Sequence, residues 1–180
     1  MTVHGKEKVE MSQNQVVSGR MTANLDGEFV VLLIGMRINK PWKIHKWWPV
    51  FIAMPRLLRR LSQKDLGMLG CHVALRPTGP ILVQYWRSVE QLQRFAREGH
   101  FEHLAAWRMF NHKVGFTGDV GFWHETYMVR PGGYEAVYGN MPRFGLAMAG
   151  EHIPVGRKGE SLADRMRAGA AALSGRQDEH

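Results

Sequence analysis

The chain has 180 residues, 44% hydrophobic and 22% charged, a composition that suits one soluble globular domain with a sizeable core. No apolar run approaches the roughly 20 residues that a membrane-spanning helix needs, and the longest, residues 29–36, is the length of a strand. The net charge of +8 arises in one stretch, residues 37–64, which carries Arg37, Lys40, Lys43, Lys46, Arg56, Arg59, Arg60 and Lys64 and no acid.

Residues 1–24 are polar and without pattern, and a disordered N-terminal tail is expected there. Lys6, Glu7, Lys8 and Glu10 stand where the apolar part of a signal peptide would lie. Cys71 has no second cysteine to pair with. The expected location is therefore the cytoplasm. The first element is a strand over 28–38, apolar on both faces and so covered on both sides. Residues 42–61 read as helical, with Phe51, Met54, Leu57, Leu58 and Leu61 along one stripe, but Pro49 and Pro55 predict fresh starts or kinks.

Two further strands, 68–76 and 79–86, flank Pro77-Thr78-Gly79-Pro80 as a hairpin. Ser88, with Gln91 three residues on, opens a helix over 89–97 that buries Leu92, Phe95 and Ala96. A second helix is predicted over 101–114 and a last strand over 119–129. The Gly-, Pro- and aromatic-rich segment 130–150 is too apolar for open solvent and should pack over the domain as a lid or a dimer arm. Residues 151–180 turn polar and read as a tail with a transient helix.

The order β-α-β-β-α-α-β is the split ferredoxin-like arrangement with its second helix divided in two. The domain is expected over 25–150. Because the strand at 28–38 is apolar on both sides, one face of the sheet needs a cover besides helices. A second copy of the chain, packed face to face, would supply it, so a homodimer is expected.

Among the nine histidines, His103 shares a helix face with Trp107 and Asn111. His124 lies mid-strand, on the same side as Phe122 and Thr126. Packing of that helix on the sheet would bring His103 and His124 into one pocket, with His100 as an alternate. Arg37, Asn39, Trp86 and Asn111 could line the same cavity, polar groups beside large aromatics that suit a small, mostly apolar ligand. For Trp86 the plainer reading is a core aromatic. Glu125 faces away from His124 and is expected to pair with Arg37. Cys71 and His72, adjacent on a strand, point to opposite faces and make no metal site. No phosphate loop, zinc motif or Ser-His-Asp pattern is present. No nucleic-acid motif accompanies the basic stretch, which leaves a solvated helix face or weak contact with an anionic membrane surface.

The stretches EFVVLLIGMRINKPWKIHKWWPVF, GPILVQYWRSVEQLQRFA, HFEHLAAWRMFN, GDVGFWHETYMV and GGYEAVYGNMPRFGLA resemble a family of bacterial and fungal proteins grouped with antibiotic-biosynthesis-monooxygenase-like proteins, which includes the monooxygenase of the fungal fumagillin pathway. The resemblance runs from about Met21 to about Gly150. It implies a dimeric α+β barrel and oxygenation of a small hydrophobic metabolite. The pattern YWRSVEQLQRFAREGHFEHLAAW…GFWHETYMV is also similar, more faintly, to haem-containing aldoxime dehydratases. That second likeness implies His103 as iron ligand and His124 as the acid-base group above it, in a chain about half as long. The expected activity is thus a monooxygenase-like oxidoreductase working with no cofactor or with haem b. His124, His103 and Asn111 would be catalytic, and Arg37, Asn39, Trp86 and Trp107 would hold substrate. A haem-dependent lyase and a non-catalytic membrane-surface module are the alternatives.

Overall fold

The structure, a computed structural model, describes residues 15–49, 51–52, 66–98 and 117–177. Strands β2 (Phe29–Ile38), β3 (Met68–Arg76), β4 (Gly79–Trp86) and β5 (Val120–Val129) form one sheet in the order β3-β4-β2-β5. Every neighbouring pair in it is antiparallel. This order, with β2 and β4 central, is that of the split ferredoxin-like arrangement. Helix α1 begins at residue 44, and α2 (Val89–Glu98) follows β4. The helix expected over 101–114 lies outside the described residues.

Local chemistry explains these elements. The β3–β4 hairpin turns over Pro77 and Thr78, with Arg76 paired to Gly79. Gly79 has φ +134°, and a Cβ there would stand 2.3 Å from the Met36 carbonyl oxygen, so only glycine lets the hairpin approach β2 this closely. Helix α2 starts at Ser88, whose Oγ accepts the Gln91 amide at 3.2 Å. Residues 44–49 and 51–52 are helical, so the helix begins at residue 44, ahead of Pro49, and not with a fresh start at it. Trp47 and Phe51 pack on Met36 and Val120. Pro55 lies outside the described residues.

The four-stranded sheet has two differently covered faces. On the helix side, α2 packs Val89, Leu92 and Phe95 over Val30 and Trp86, and α1 packs Trp47 and Phe51 over Met36 and Val120. On the other side, the cover expected from a second copy is in part supplied by the chain itself. Phe29, Val31, Val83 and Tyr85 pack with Ala23, Leu25, Tyr134, Tyr138, Leu146 and Ala147.

That cover corrects both expected tails. Residues 17–24 are strand β1 (Val17–Asn24), central in a second antiparallel sheet between β6 (Tyr138–Met141) and β7 (Glu151–Pro154). The segment 130–150 does pack over the domain, with the single helical turn α3 (Leu146–Ala149) inside it. The expected C-terminal tail contains β7 and the helix α4 (Leu162–Gln177). Buried Arg165 anchors α4: it ion-pairs with Glu135 and donates to the carbonyls of Gly159 (3.1 Å) and Glu160 (2.8 Å). Gly169 lets α4 close on the loop at Gly132, where a Cβ would stand 2.9 Å from the Gly132 nitrogen. Residues 1–14, the rest of the expected N-terminal tail, lie outside the described residues.

Candidate active site

The middle of the helix-side face is a band between the α1 and α2 contacts. Register builds it in two rows across four strands. One row is Cys71, Gln84, Leu32 and Thr126; the next is Val73, Leu82, Ile34 and His124. His124 and Thr126 lie on β5 at the sheet edge, and both are exposed. Leu82 and Gln84 are buried, whereas Phe122 and Val73, at the band's margins, are exposed. An imidazole, a hydroxyl and an amide thus share a surface with aliphatic and aromatic side chains, the composition of a site for a mostly apolar ligand.

Gln84 is a buried amide under this band that sequence reasoning passed over. Its Oε1 accepts the Trp86 indole N–H at 3.0 Å. The signal was a polar residue alternating with Leu82 and Trp86 on the buried side of a strand.

The predicted residues divide sharply. His124 shares a face with Thr126 and Phe122 as expected. Arg37 does not join it: Met36 is on the helix side, so the next residue along points to the other face. Its Nε donates to Asn39 Oδ1 (3.1 Å), and Asn39 Nδ2 donates to the Gly118 carbonyl (3.0 Å), so these two stiffen a loop at the sheet end. Trp86 is fully buried against Phe95, with ring centroids 5.3 Å apart, so it is core under α2 and no wall of an open cavity. The expected Glu125–Arg37 pair is absent because Arg37 stands opposite Gly121 and Glu125 opposite Leu33. Four residues of strand are roughly 13 Å. Glu125 instead accepts the Tyr127 hydroxyl at 2.6 Å. His100, His103, Trp107 and Asn111 lie outside the described residues.

The other titratable groups near the sheet are muted. Burial pushes the Cys71 thiol up to about 11, so it is a neutral thiol at ordinary pH and a poor nucleophile or metal ligand. His72 faces the other side, tilted on Phe144 at 4.5 Å, and burial lowers its pKa. His152, expected in a tail, sits on β7 edge-on to Tyr138 at 5.4 Å. Among the described residues no three His, Cys, Asp or Glu side chains could hold a metal ion.

At the α1 end, buried Asp119 fastens the basic loop to β5. Its carboxylate oxygens lie 2.8 Å from Lys40 Nζ and 2.9 Å from Lys43 Nζ, and its carbonyl accepts the Asn39 and Lys40 amides. Hydrogen bonds from Lys40 and then Lys43 hold the Asp119 carboxyl well below the usual carboxylate range. A depressed folded pKa stabilises the fold fully above the unfolded value of about 3.9, and that contribution is lost as pH falls below it toward the folded pKa. Denaturant titrations from pH 6 down to pH 2 should therefore show a shallower acid decline in stability for Asp119→Asn than for the wild type. Equal slopes would mean that the two lysines do not act on Asp119 in solution.

The geometry can be compared with known proteins. Residues 29–146 match the family model described as Monooxygenase af470-like, which spans β2 to α3 and so includes the whole four-stranded sheet. The chain belongs to this family. A curated relative, Monooxygenase af470 of Aspergillus fumigatus, is 28% identical over 148 residues, 69% of this chain and 52% of the relative. The chain thus spans about half the length of the curated relative it matches. Among solved structures, an aldoxime dehydratase is similar with a TM-score of 0.54 at 20% identity, over 78% of this chain and 45% of that one. A cofactor-independent oxygenase from Streptomyces nogalater, SnoaB, is similar at 8% identity with a TM-score of 0.39, over 58% of this chain and 95% of that one. The fold of the Monooxygenase af470-like chain described here is α+β and ferredoxin-like.

Proposed function

We propose that this member of the Monooxygenase af470-like family is an oxidoreductase that oxygenates a small apolar metabolite held against the helix-side band of the sheet. The observation that carries the reading is His124, an accessible imidazole at mid-strand between Thr126 and Phe122, beside Ile34, which in turn stands beside the buried Leu82. His124 takes a proton from an electron-rich carbon acid, and the resulting anion reduces O2. One oxygen atom stays on the substrate and the other leaves as water, so the substrate supplies every electron. In this reading His103, which with Trp107 and Asn111 lies outside the described residues, serves as a second base, and Asn111 and Trp107 position the substrate. The protein acts in the cytoplasm as a homodimer, with the uncovered part of the second sheet face, around Leu33, Ile81 and Tyr127, against its partner.

A second reading is favoured by the likeness to the aldoxime dehydratase over most of the chain. In it the protein binds haem b, with His103 as ligand and His124 as the acid-base group, and acts as a lyase. His124 fits that role by its accessibility, and His103 lies outside the described residues. One experiment separates the readings. Protein expressed with a haem precursor is purified, and its absorption is recorded with and without added hemin, beside His103→Ala. The cofactor-free reading expects no Soret band of bound haem and oxygen uptake with electron-rich apolar substrates. A stoichiometric Soret band that disappears in His103→Ala would replace it with the haem reading.

A further inference from the structure

Gln84 is the polar group in the floor of the band. Strand β4 is paired with β3 on one edge and β2 on the other, so this side chain leaves the sheet on the helix side, between Leu82 and Trp86. It is 6% exposed. Its carboxamide has two unlike ends. An indole N–H can only donate, so the amide atom that meets Trp86 Nε1 at 3.0 Å is the oxygen, and the flip of the amide is settled. The NH2 group is the free end: among the described residues nothing accepts from Nε2. Nor is Nε2 one of the partnerless atoms sealed from the surface, as both ring nitrogens of His152 are, so its donors open onto the band.

Amide donors in a buried setting are ordinarily paired, because an unmade bond forfeits what water would have supplied. The neighbours in the register row do not pair this one. Leu32 is apolar, Thr126 stands beyond it on β5, and Cys71 Sγ lies against the His72 carbonyl oxygen at 3.9 Å. An acceptor brought by a ligand would complete the set.

We propose that Gln84 determines which substrates this surface takes: Nε2 donates to a carbonyl or similar acceptor oxygen of the bound molecule, and Trp86 positions the amide for it. The inference rests on the reading of the band as the substrate surface and adds the functional group that the substrate carries. With Oε1 held by Trp86, the amide presents donors and no acceptor, so it favours a carbonyl over a hydrocarbon group of the same shape. Gln84 is two strands from β5, roughly 10 Å across the sheet, with His124 in the adjacent row. A substrate that meets both therefore carries its oxygen about two fused rings away from the carbon that His124 deprotonates.

The test is titration of the full chain with acetylnaphthalene and isopropenylnaphthalene, a ketone and a hydrocarbon of nearly equal shape, substituted at the same ring position. Wild type should bind the ketone about tenfold more tightly. Gln84→Met keeps the length of the side chain without the donors, and should bind the two equally while keeping its affinity for the hydrocarbon. Trp86→Phe frees the amide to turn and should narrow the preference severalfold. In wild-type ¹H–¹⁵N spectra the ketone alone should shift the Gln84 side-chain amide, a readout that needs no variant to fold. Equal binding of the two probes by wild type overturns the proposal, and so does a folded Gln84→Met that keeps the preference. Ketone binding that moves the His124 ring resonances but not the Gln84 amide removes Gln84 and leaves the band as the substrate surface. A shift at Gln84 with His124 unmoved upholds the donor and removes His124 from the site. Failure of both probes to bind at millimolar concentration overturns both readings.

Discussion

His124→Ala is expected to lower kcat by about 10²- to 10⁴-fold, the range by which a positioned acid-base group accelerates proton transfer. Its melting temperature should stay close to that of wild type, because the imidazole is exposed and exposed substitutions usually change stability by less than about 0.5 kcal/mol. The contrast identifies a chemical role, which steady-state oxygen uptake and thermal melting resolve together. His124→Gln retains hydrogen bonding without acid-base function and should be as inactive as alanine. If glutamine restores most of the rate, His124 only positions the substrate. An unchanged rate in both variants would remove it from the site.

Trp86→Ala should destabilise the fold by about 3–5 kcal/mol, the usual range for deleting a buried tryptophan or phenylalanine side chain. In a chain of this size that corresponds to a melting temperature lower by about 6–20 °C. The cause is specific. Trp86 is fully buried under α2, between Val30 and Phe95, and its indole N–H satisfies buried Gln84. Removing it opens a cavity and leaves Gln84 Oε1 without that donor. Trp86→Phe keeps most of the volume and should cost clearly less. A Trp86→Ala protein that melts within about 2 °C of wild type but shows a raised KM would return Trp86 to the substrate pocket.

Strand β2 could be read from the sequence because its residues are apolar on both faces, and β3–β4 because Pro77 to Gly79 punctuates two β-rich runs. Helix α2 announced itself through the Ser88 cap. These elements are specified by near neighbours in sequence. Strand β1 is not: VSGRMTAN has no alternation, and it is held by partners more than a hundred residues away, Met21 opposite Tyr138 and Pro154. Strands β6 and β7, of four residues each, are too short to carry a period. Helix α4 shows no apolar stripe because a buried arginine and a glycine contact, Arg165 with Glu135 and Gly169 with Gly132, do what a stripe usually does.

The site divides along the same line. Strand alternation was enough to place His124 with Phe122 and Thr126 and to separate Cys71 from His72. Excluding Arg37 from the His124 face required the pairing of β2 with β5, Ile34 opposite His124, which alternation within one strand does not supply. The Glu125–Arg37 pair failed on register, which depends on how β2 and β5 slide against each other and is not written in either strand alone. Gln84 was hidden by its setting, a polar residue inside an apolar run whose meaning appears only when the Trp86 indole turns back to meet it.

The central claim is oxygen transfer to an apolar substrate with His124 as the base. Turnover of a substrate identified by oxygen uptake, under ¹⁸O2 with mass analysis of the product, tests it. One labelled oxygen atom in the product, with incorporation by His124→Ala reduced at least a hundredfold, is the expected result. Product that carries oxygen only from water, or label incorporated equally by the variant, would mean that the chain does not work as proposed.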